Sequence, residues 1–322
     1  MSRIRVAVLR GGPSAEYDVS LETGASVLKH LPEGYEGHDI LIDKKGVWHY
    51  RGLPIGAQEI SRYADVIWNA MHGEYGEDGQ VQNVLDKTGV PYTGSKSFAS
   101  ALAMNKSTAK ESFRRAGLKV PAGQLFDLER EPAEAAATKV FQTISPPWVV
   151  KPADRGSSVG LYIAKNFTEL SHAIAECFRF SGKVIVEEYI RGKEATVGVV
   201  DNFRNQKHYA LPAIEIRRPA GKSVWTYDDK YNGATEEVCP GCFTNEEKKK
   251  LEELAILAHQ SLGLEHYSRS DFILHPTRGI YLLETNSLPG LTSESLLPKS
   301  LAAVGCTYPE FLNHVIKLAL AR

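Results

Sequence analysis

Residues 268–290 read SRSDFILHPTRGIYLLETNSLPG. The apolar runs predict two strands, at 270–274 and 280–284, joined by a short turn at 276–279. So short a connection makes them adjacent and antiparallel. Side chains two apart in a strand share a face. Arg269 therefore lies beside Asp271, and Glu284 beside Asn286. Two carboxylates, an amide oxygen and an arginine converge. Hard oxygen donors of this kind suit Mg²⁺ held together with substrate phosphates, and an arginine stabilises charge on a transferring phosphoryl group. Taken alone, the group fits an exposed, salt-bridged hairpin equally well. The continuation, NSLPGLTSES at 286–295, offers backbone N–H groups to an oxyanion or a carboxylate. By itself it reads more simply as a Pro-Gly turn.

Working outward, the chain divides into three units. Residues 4–9 (IRVAVL) predict a buried strand, Gly11-Gly12-Pro13 a tight turn and 19–30 a helix. This is the start of a doubly wound α/β domain. A second strand at 64–70 leads into the loop HGEYGEDG at 72–79, where Asp78 is a candidate cap for a helix at 80–87. A boundary is expected near residue 95. Residues 97–116 predict one helix, with Phe98, Leu102, Ala109, Phe113 and Ala116 at helical spacing and Gly117 as its stop. Strands at 148–151, 159–163 and 184–188 and a helix at 168–180 complete a smaller α+β unit, 96–188. The remaining unit, 189–322, has strands at 195–200 and 209–216. Its polar segment at 217–241 is longer than a connection needs, which suggests a functional loop. Thr244-x-x-Glu247 and Thr307-x-x-Glu310 are capping boxes. The first opens a helix with Leu251, Leu254, Ala255, Ala258 and Leu262 on one face.

Composition narrows the function. A chain of 322 residues exceeds one ordinary core. A net charge of −1 removes nucleic acid and anionic membranes as main partners. No apolar run approaches the roughly 18 residues of a membrane helix, and the short N-terminal run passes straight into a glycine turn. The expected location is the cytoplasm. Cys239 and Cys242 have C-x-x-C spacing, but no second pair completes a four-ligand zinc site, so the spacing is read as incidental.

Other residues fit nucleotide chemistry. The loop 154–160 (DRGSSVG) places Ser157 and Ser158 between two strands, where backbone N–H groups can close over phosphates. It lacks the G-K-[ST] ending of a Walker A loop, and no helix follows it. Lys151, just upstream, adds a cation. Lys106, alone, is a solvated helix lysine. At Glu187, Glu188, Tyr189 and Ile190 a strand ends in a crossing that can offer donors and acceptors to adenine, and Glu194 is placed for ribose hydroxyls. Charged residues at a strand end are the commoner explanation of any one of these.

Together the segments LRGGPSAEYDVS, MHGEYGEDGQVQ, YTGSKSFASALAMNKSTAK, VVKPADRGSSVG, VEEYIRGKEATV, YDDKY, SRSDF and LLETNSLPGLTSESLLP, in that order, resemble the signatures of the D-alanine–D-alanine ligase family. The resemblance runs from about residue 4 to about residue 300. It implies an ATP-grasp fold, in which two α+β units clasp ATP behind an N-terminal α/β domain. It implies an acyl phosphate made from one D-alanine and ATP, captured by the amine of a second D-alanine. The dipeptide serves peptidoglycan synthesis. ATP and Mg²⁺ or Mn²⁺, with two ions expected, are the implied cofactors. A monovalent cation is left open, and a homodimer is expected.

Carried over residue by residue, the resemblance gives Glu16 the ammonium of the first D-alanine and places His72 near it. It links Glu16 through Ser157 to Tyr231, next to Lys230 in YDDKY. Lys106, Lys151, Lys230, Ser157 and Ser158 would meet ATP, with Glu187 to Ile190 on adenine and Glu194 on ribose. Asp271, Glu284 and Asn286 would hold metal. Arg269 and Gly290 would stabilise the tetrahedral oxyanion, and Ser295 and Leu296 would receive the second substrate. The Lys-Tyr pair favours an amine over a hydroxyl as second nucleophile. Rival readings are another ATP-grasp acid–amine ligase, a D-alanine–D-lactate type ligase, and a nucleotide-binding protein without catalysis.

Overall fold

In the computed structural model, which describes residues 3–154, 160–218 and 235–322, the first strand β1 (Ile4–Gly11) is an interior strand of a five-stranded sheet. It pairs in parallel with β2 (Tyr35–Ile42) and β5 (Val66–Asn69), while β3 (Trp48–Tyr50) and β4 (Leu53–Ile55) extend the β2 edge antiparallel. β1 is apolar on both faces because both are covered. Ala7 and Leu9 pack with Ile40, Ile42 and Leu85. Val6 and Val8 pack with Trp68, Val27 of helix α1 (Tyr17–His30), and the C-terminal residues Leu297, Phe311 and Val315.

The central sheet has the order β6-β9-β7-β8, formed by β6 (Gly123–Asp127), β7 (Trp148–Pro152), β8 (Tyr162–Ala164) and β9 (Lys183–Glu188). Helices α5 (Ala133–Thr143) and α6 (Phe167–Phe178) cover it with Ala136, Val140, Leu170 and Ile174. The third sheet runs β13-β12-β10-β14-β15, with β11 also paired to β10. Its members are β10 (Lys193–Phe203), β11 (Gln206–Ala210), β12 (Ile214–Arg217), β13 (Glu236–Val238), β14 (Tyr267–His275) and β15 (Gly279–Asn286). Helix α7 (Asn245–Ser261) packs on it through Leu251, Ala255 and Ala258, and opens with the expected capping box at Thr244 and Glu247. Helices α8 (Leu296–Ala303) and α9 (Tyr308–Leu320) end the chain, the latter with the second capping box.

Several expectations are corrected. Residues 97–116 form two helices, α3 (Ser97–Met104) and α4 (Lys106–Arg115). Asn105 breaks them: its side chain accepts from the N–H groups of Ser107 at 3.2 Å and Thr108 at 3.1 Å, as an N-cap. Phe98, expected inside, is 79% exposed. Both helices pack against the third sheet through Ala99, Ala103, Ala109 and Phe113, while α4 also reaches the central sheet through the ion pair of Lys110 with Glu187. The strand expected at 209–216 is split into β11 and β12 around Pro212, which has no N–H to donate. Helix α2 (Gln80–Asp86) is capped by Gly79. Asp78 instead accepts from the N–H groups of Tyr75 at 2.9 Å and Gln80 at 3.0 Å. Ser157, Ser158, Lys230 and Tyr231 lie outside the described residues. Among those described, no helix is long and apolar enough to cross a membrane.

Candidate active site

The β14–β15 hairpin has the register that the sequence implied. Arg269 stands opposite Asn286, and Asp271 opposite Glu284, with an irregularity just after Asp271. Arg269 donates to Asp271 through Nε at 3.0 Å and Nη2 at 2.9 Å. Burial opposes the charge on Arg269, but Asp271 outweighs it and holds the guanidinium pKa above its ordinary value. Asp271 also accepts from Thr196 Oγ1 at 2.5 Å and from Asn286 Nδ2 at 3.3 Å. Turning the Asn286 amide would present its oxygen instead.

Helix α4 delivers two lysines one turn apart. Lys106 is its first residue. Its N–H donates to the Ala153 carbonyl at 3.0 Å, and its Nζ lies 3.6 Å from Glu284 Oε2. Lys110, four residues on, shares that face and forms an ion pair with Glu187 Oε1; Lys151 of β7 reaches Glu187 Oε2 at 3.0 Å. All three groups are buried. Two cations sharing one carboxylate settle unequally. Burial pushes Lys110 down to about 8 despite Glu187. Burial also opposes the charge on Lys151, but Glu187 and Glu284 outweigh it and hold Lys151 above its ordinary value. Glu187 itself, though buried, is held below the usual carboxylate range by the two lysines.

The expected adenine segment is already engaged. Glu188 Oε1 accepts from the Ala122 N–H at 3.0 Å and Oε2 from Arg278 at 2.5 Å. The Tyr189 N–H donates to the Pro147 carbonyl at 3.0 Å. Ile190 is buried with Ile273 and Tyr281. Glu194 accepts from Arg218 Nε at 2.9 Å.

From the N-terminal unit come Glu16, at the start of α1, and His72, just after β5. Thr23 Oγ1 is 2.8 Å from His72 Nε2, and Glu77 Oε1 is 3.4 Å from Nδ1. Burial opposes a charge on His72, but Glu77 and Glu16 raise its pKa. Glu77 is raised too, by burial and by Glu16. Glu16 raises both, and on Glu77 burial outweighs the opposing effect of His72. Ser295 caps α8 positionally, and its Oγ lies 2.8 Å from Thr292 Oγ1. Leu296 is buried against Ile214 and Ile216.

One cleft, open to solvent, brings these elements together. It is lined by Glu16, His72, Lys106, Arg269, Glu284, Asn286, Gly290, Ser295 and Leu296, all singled out by sequence. Asp271, Lys151, Glu187, Glu188, Tyr189, Ile190 and Glu194 do not line it. The sequence reading missed Lys110 and Glu77, which do line it, and Thr196. The i, i+4 spacing of Lys106 and Lys110 was the available signal for the first.

Comparison with known proteins agrees with this arrangement. The family model described as "D-ala D-ala ligase C-terminus" matches residues 113–317, and "D-ala D-ala ligase N-terminus" matches 5–61 and 50–95. A D-alanine–D-alanine ligase of Leptospira interrogans serovar Lai is 34% identical, covering 99% of each chain. That of Geotalea uraniireducens is 37% identical, covering 98% of this chain and 95% of the other. Among solved structures, the VanG D-Ala:D-Ser ligase from Enterococcus faecalis superposes with a TM-score of 0.87 at 28% identity, covering 99% of this chain and 100% of that one. The D-alanyl-alanine synthetase A from Vibrio cholerae also gives 0.87, at 25% identity over the full length of both chains. The architecture is thus an ATP-grasp fold with an N-terminal α/β domain. The chain belongs to the D-alanine–D-alanine ligase family.

Proposed function

We propose that this chain joins two D-alanine molecules in an ATP-dependent reaction through a D-alanyl phosphate, supplying a dipeptide for peptidoglycan. The observation that carries the reading is the cleft. A carboxylate suited to an ammonium, Glu16, faces the same space as the cations Lys106 and Arg269 and the oxygen donors Glu284 and Asn286.

A carboxylate is a poor electrophile, so its oxygen must first become a leaving group. Glu16 orients the first D-alanine by its ammonium, beside His72. One carboxylate oxygen forms a bond to the γ-phosphorus of ATP as the bond to ADP breaks. Two anions approach in this step, so Lys106, Lys151 and Arg269 offset their charge. The amine of the second D-alanine, received near Ser295 and Leu296, then attacks the acyl carbon. Arg269 and the backbone at Gly290 stabilise the tetrahedral oxyanion. Phosphate leaves, and the amine gives up its proton.

Asp271, Glu284 and Asn286 are hard oxygen donors on facing strands, and two of them are carboxylates balanced by Arg269 and Lys106. The set fits Mg²⁺ or Mn²⁺, which would supply neutralising charge at the phosphates. Ser157, Ser158, Lys230 and Tyr231 enter this proposal on sequence alone, as do a cytoplasmic location and a homodimer.

The likeness to a D-Ala:D-Ser ligase favours one second reading, with D-serine as the second amine. Release of ADP from Mg-ATP with D-alanine, D-alanine plus D-serine, L-alanine or D-lactate, with products weighed by mass, tests both. D-alanyl-D-alanine as the main product supports the first. A dominant D-alanyl-D-serine product would move the assignment to the second. No stimulation by D-alanine would refute the reading.

A further inference from the structure

A cluster outside the cleft carries chemistry that the ligase reaction does not use. Asp201 of β10 stands directly opposite His208 of β11, and helix α7 brings His259 over the pair. Asp201 has the strand parity of Ala195, Val197 and Val199, which pack beneath α7. Thr196, of opposite parity, bonds to Asp271. The cluster therefore lies on the other face of the sheet from the Asp271 group.

Its geometry combines one hydrogen bond, between His208 Nδ1 and Asp201 Oδ1, with a second imidazole nitrogen set close to the same oxygen. His208 Nδ1 is 2.8 Å from Asp201 Oδ1, and His259 Nε2 is 3.2 Å from the same oxygen. The three donor atoms all lie within 4.8 Å of one another. A tetrahedral ion with bonds of about 2.0 Å separates its ligand atoms by roughly 3.3 Å. His259 is fully buried, and its Nε2, though close to Asp201, makes no hydrogen bond among the described residues. A buried nitrogen without a hydrogen bond is costly, and a cation would relieve it. The supporting bonds are in place. Ser268 Oγ lies 2.8 Å from His259 Nδ1, and the His266 N–H donates to Asp201 Oδ2 at 2.6 Å. These hold the His259 ring and Asp201 Oδ2; a bound ion would replace the hydrogen bond between His208 Nδ1 and Asp201 Oδ1, and the supporting bonds would orient its ligands.

We propose that Asp201, His208 and His259 form a structural transition-metal site of Zn²⁺ type, with water completing the shell, which pins the β10–β11 hairpin to helix α7. Two imidazoles with one carboxylate select such an ion over Mg²⁺.

The test is titration of chelator-treated full-length protein with Zn²⁺ against a chromophoric competitor, in excess Mg²⁺ so that oxygen-donor sites are filled. One tight equivalent is expected. His208→Ala, on the hairpin, should weaken it by more than about 100-fold, and Ser268→Ala by about 10–100-fold. The Cys239→Ser/Cys242→Ser double variant should bind unchanged. Substituted Co²⁺ should show a tetrahedral visible spectrum without thiolate charge transfer. Absence of a stoichiometric equivalent, binding that survives His208→Ala, or binding lost with the two cysteines would each overturn the proposal.

Discussion

Arg269 grips both oxygens of Asp271, and so a cation already occupies the carboxylate on which the proposed metal site depends. Both residues point from one face of β14 towards the end of β15. Asp271→Ala should therefore remove a metal ligand and also release Arg269 from its fixed position. Loss of a single preorganised transition-state donor lowers turnover by about 10²–10³-fold. The loss here should be at least that large in ADP release with D-alanine and Mg-ATP. Wild-type turnover in this variant would mean that the metal is held elsewhere.

Gly73 lies at φ +71°, and a Cβ there would stand 2.8 Å from Glu16 Oε2 and 3.2 Å from Ser14. Gly73→Ala should displace the carboxylate that receives the substrate ammonium. A charged hydrogen bond contributes about 1.5–3 kcal/mol, so KM for the first D-alanine should rise by about 10-fold or more while KM for ATP stays near wild type. Equal rises in both would indicate general damage to the fold.

On the other wall of the cleft, a Cβ at Gly290 would meet Ser295 Oγ at 2.9 Å. Ser295→Ala and Gly290→Ala should both weaken the second D-alanine, by about 10-fold for a lost hydrogen bond of about 1.4 kcal/mol. ATP binding, measured by fluorescence or calorimetry, should be unaffected. A defect in ATP affinity alone would contradict the placement of Ser295.

Lys110, Glu187 and Lys151 form a buried group of two cations and one anion. Removing the anion strands two charges, whereas removing Lys110 leaves a matched pair. Glu187→Gln should destabilise by about 3–5 kcal/mol, and Lys110→Met by clearly less, in urea unfolding. The pH dependence has a definite sign. Below about pH 8 Lys110 is charged in both states; between about 8 and its ordinary 10.5 the unfolded chain keeps a proton that the folded chain has released. Stability relative to Lys110→Met should therefore rise with pH across that window, by on the order of 3 kcal/mol. A flat difference would mean that Lys110 stays charged.

The β14–β15 hairpin was legible because a short turn fixes register and strand alternation fixes faces. Arg269, Asp271, Glu284 and Asn286 followed from that alone. The capping boxes at Thr244 and Thr307 were legible because their bonds are local. β2 was not: Glu36, Gly37 and Asp39 are exposed, and its buried side chains are confined to His38, Ile40 and Ile42, so half the strand reads as loop. The break at Asn105 was hidden because a polar residue amid helical spacing looks like a solvent face. For Lys110 the one local signal was its i, i+4 spacing from Lys106; its burial against Glu187 of a distant strand is not legible in the sequence. Glu16 and Ser295 acquired meaning only from the family resemblance, since neither belongs to a pattern that chemistry alone would single out.

The central claim is that a D-alanine oxygen passes through phosphate, and isotope transfer tests it directly. D-Alanine carrying ¹⁸O in its carboxylate would be incubated with Mg-ATP and the chain, and both products analysed by mass. Acyl phosphate chemistry predicts one ¹⁸O in the released phosphate for every dipeptide formed, because the C–O bond breaks when the amine attacks. Dipeptide accompanied by unlabelled phosphate would contradict the account, since the carboxylate would then not have been phosphorylated.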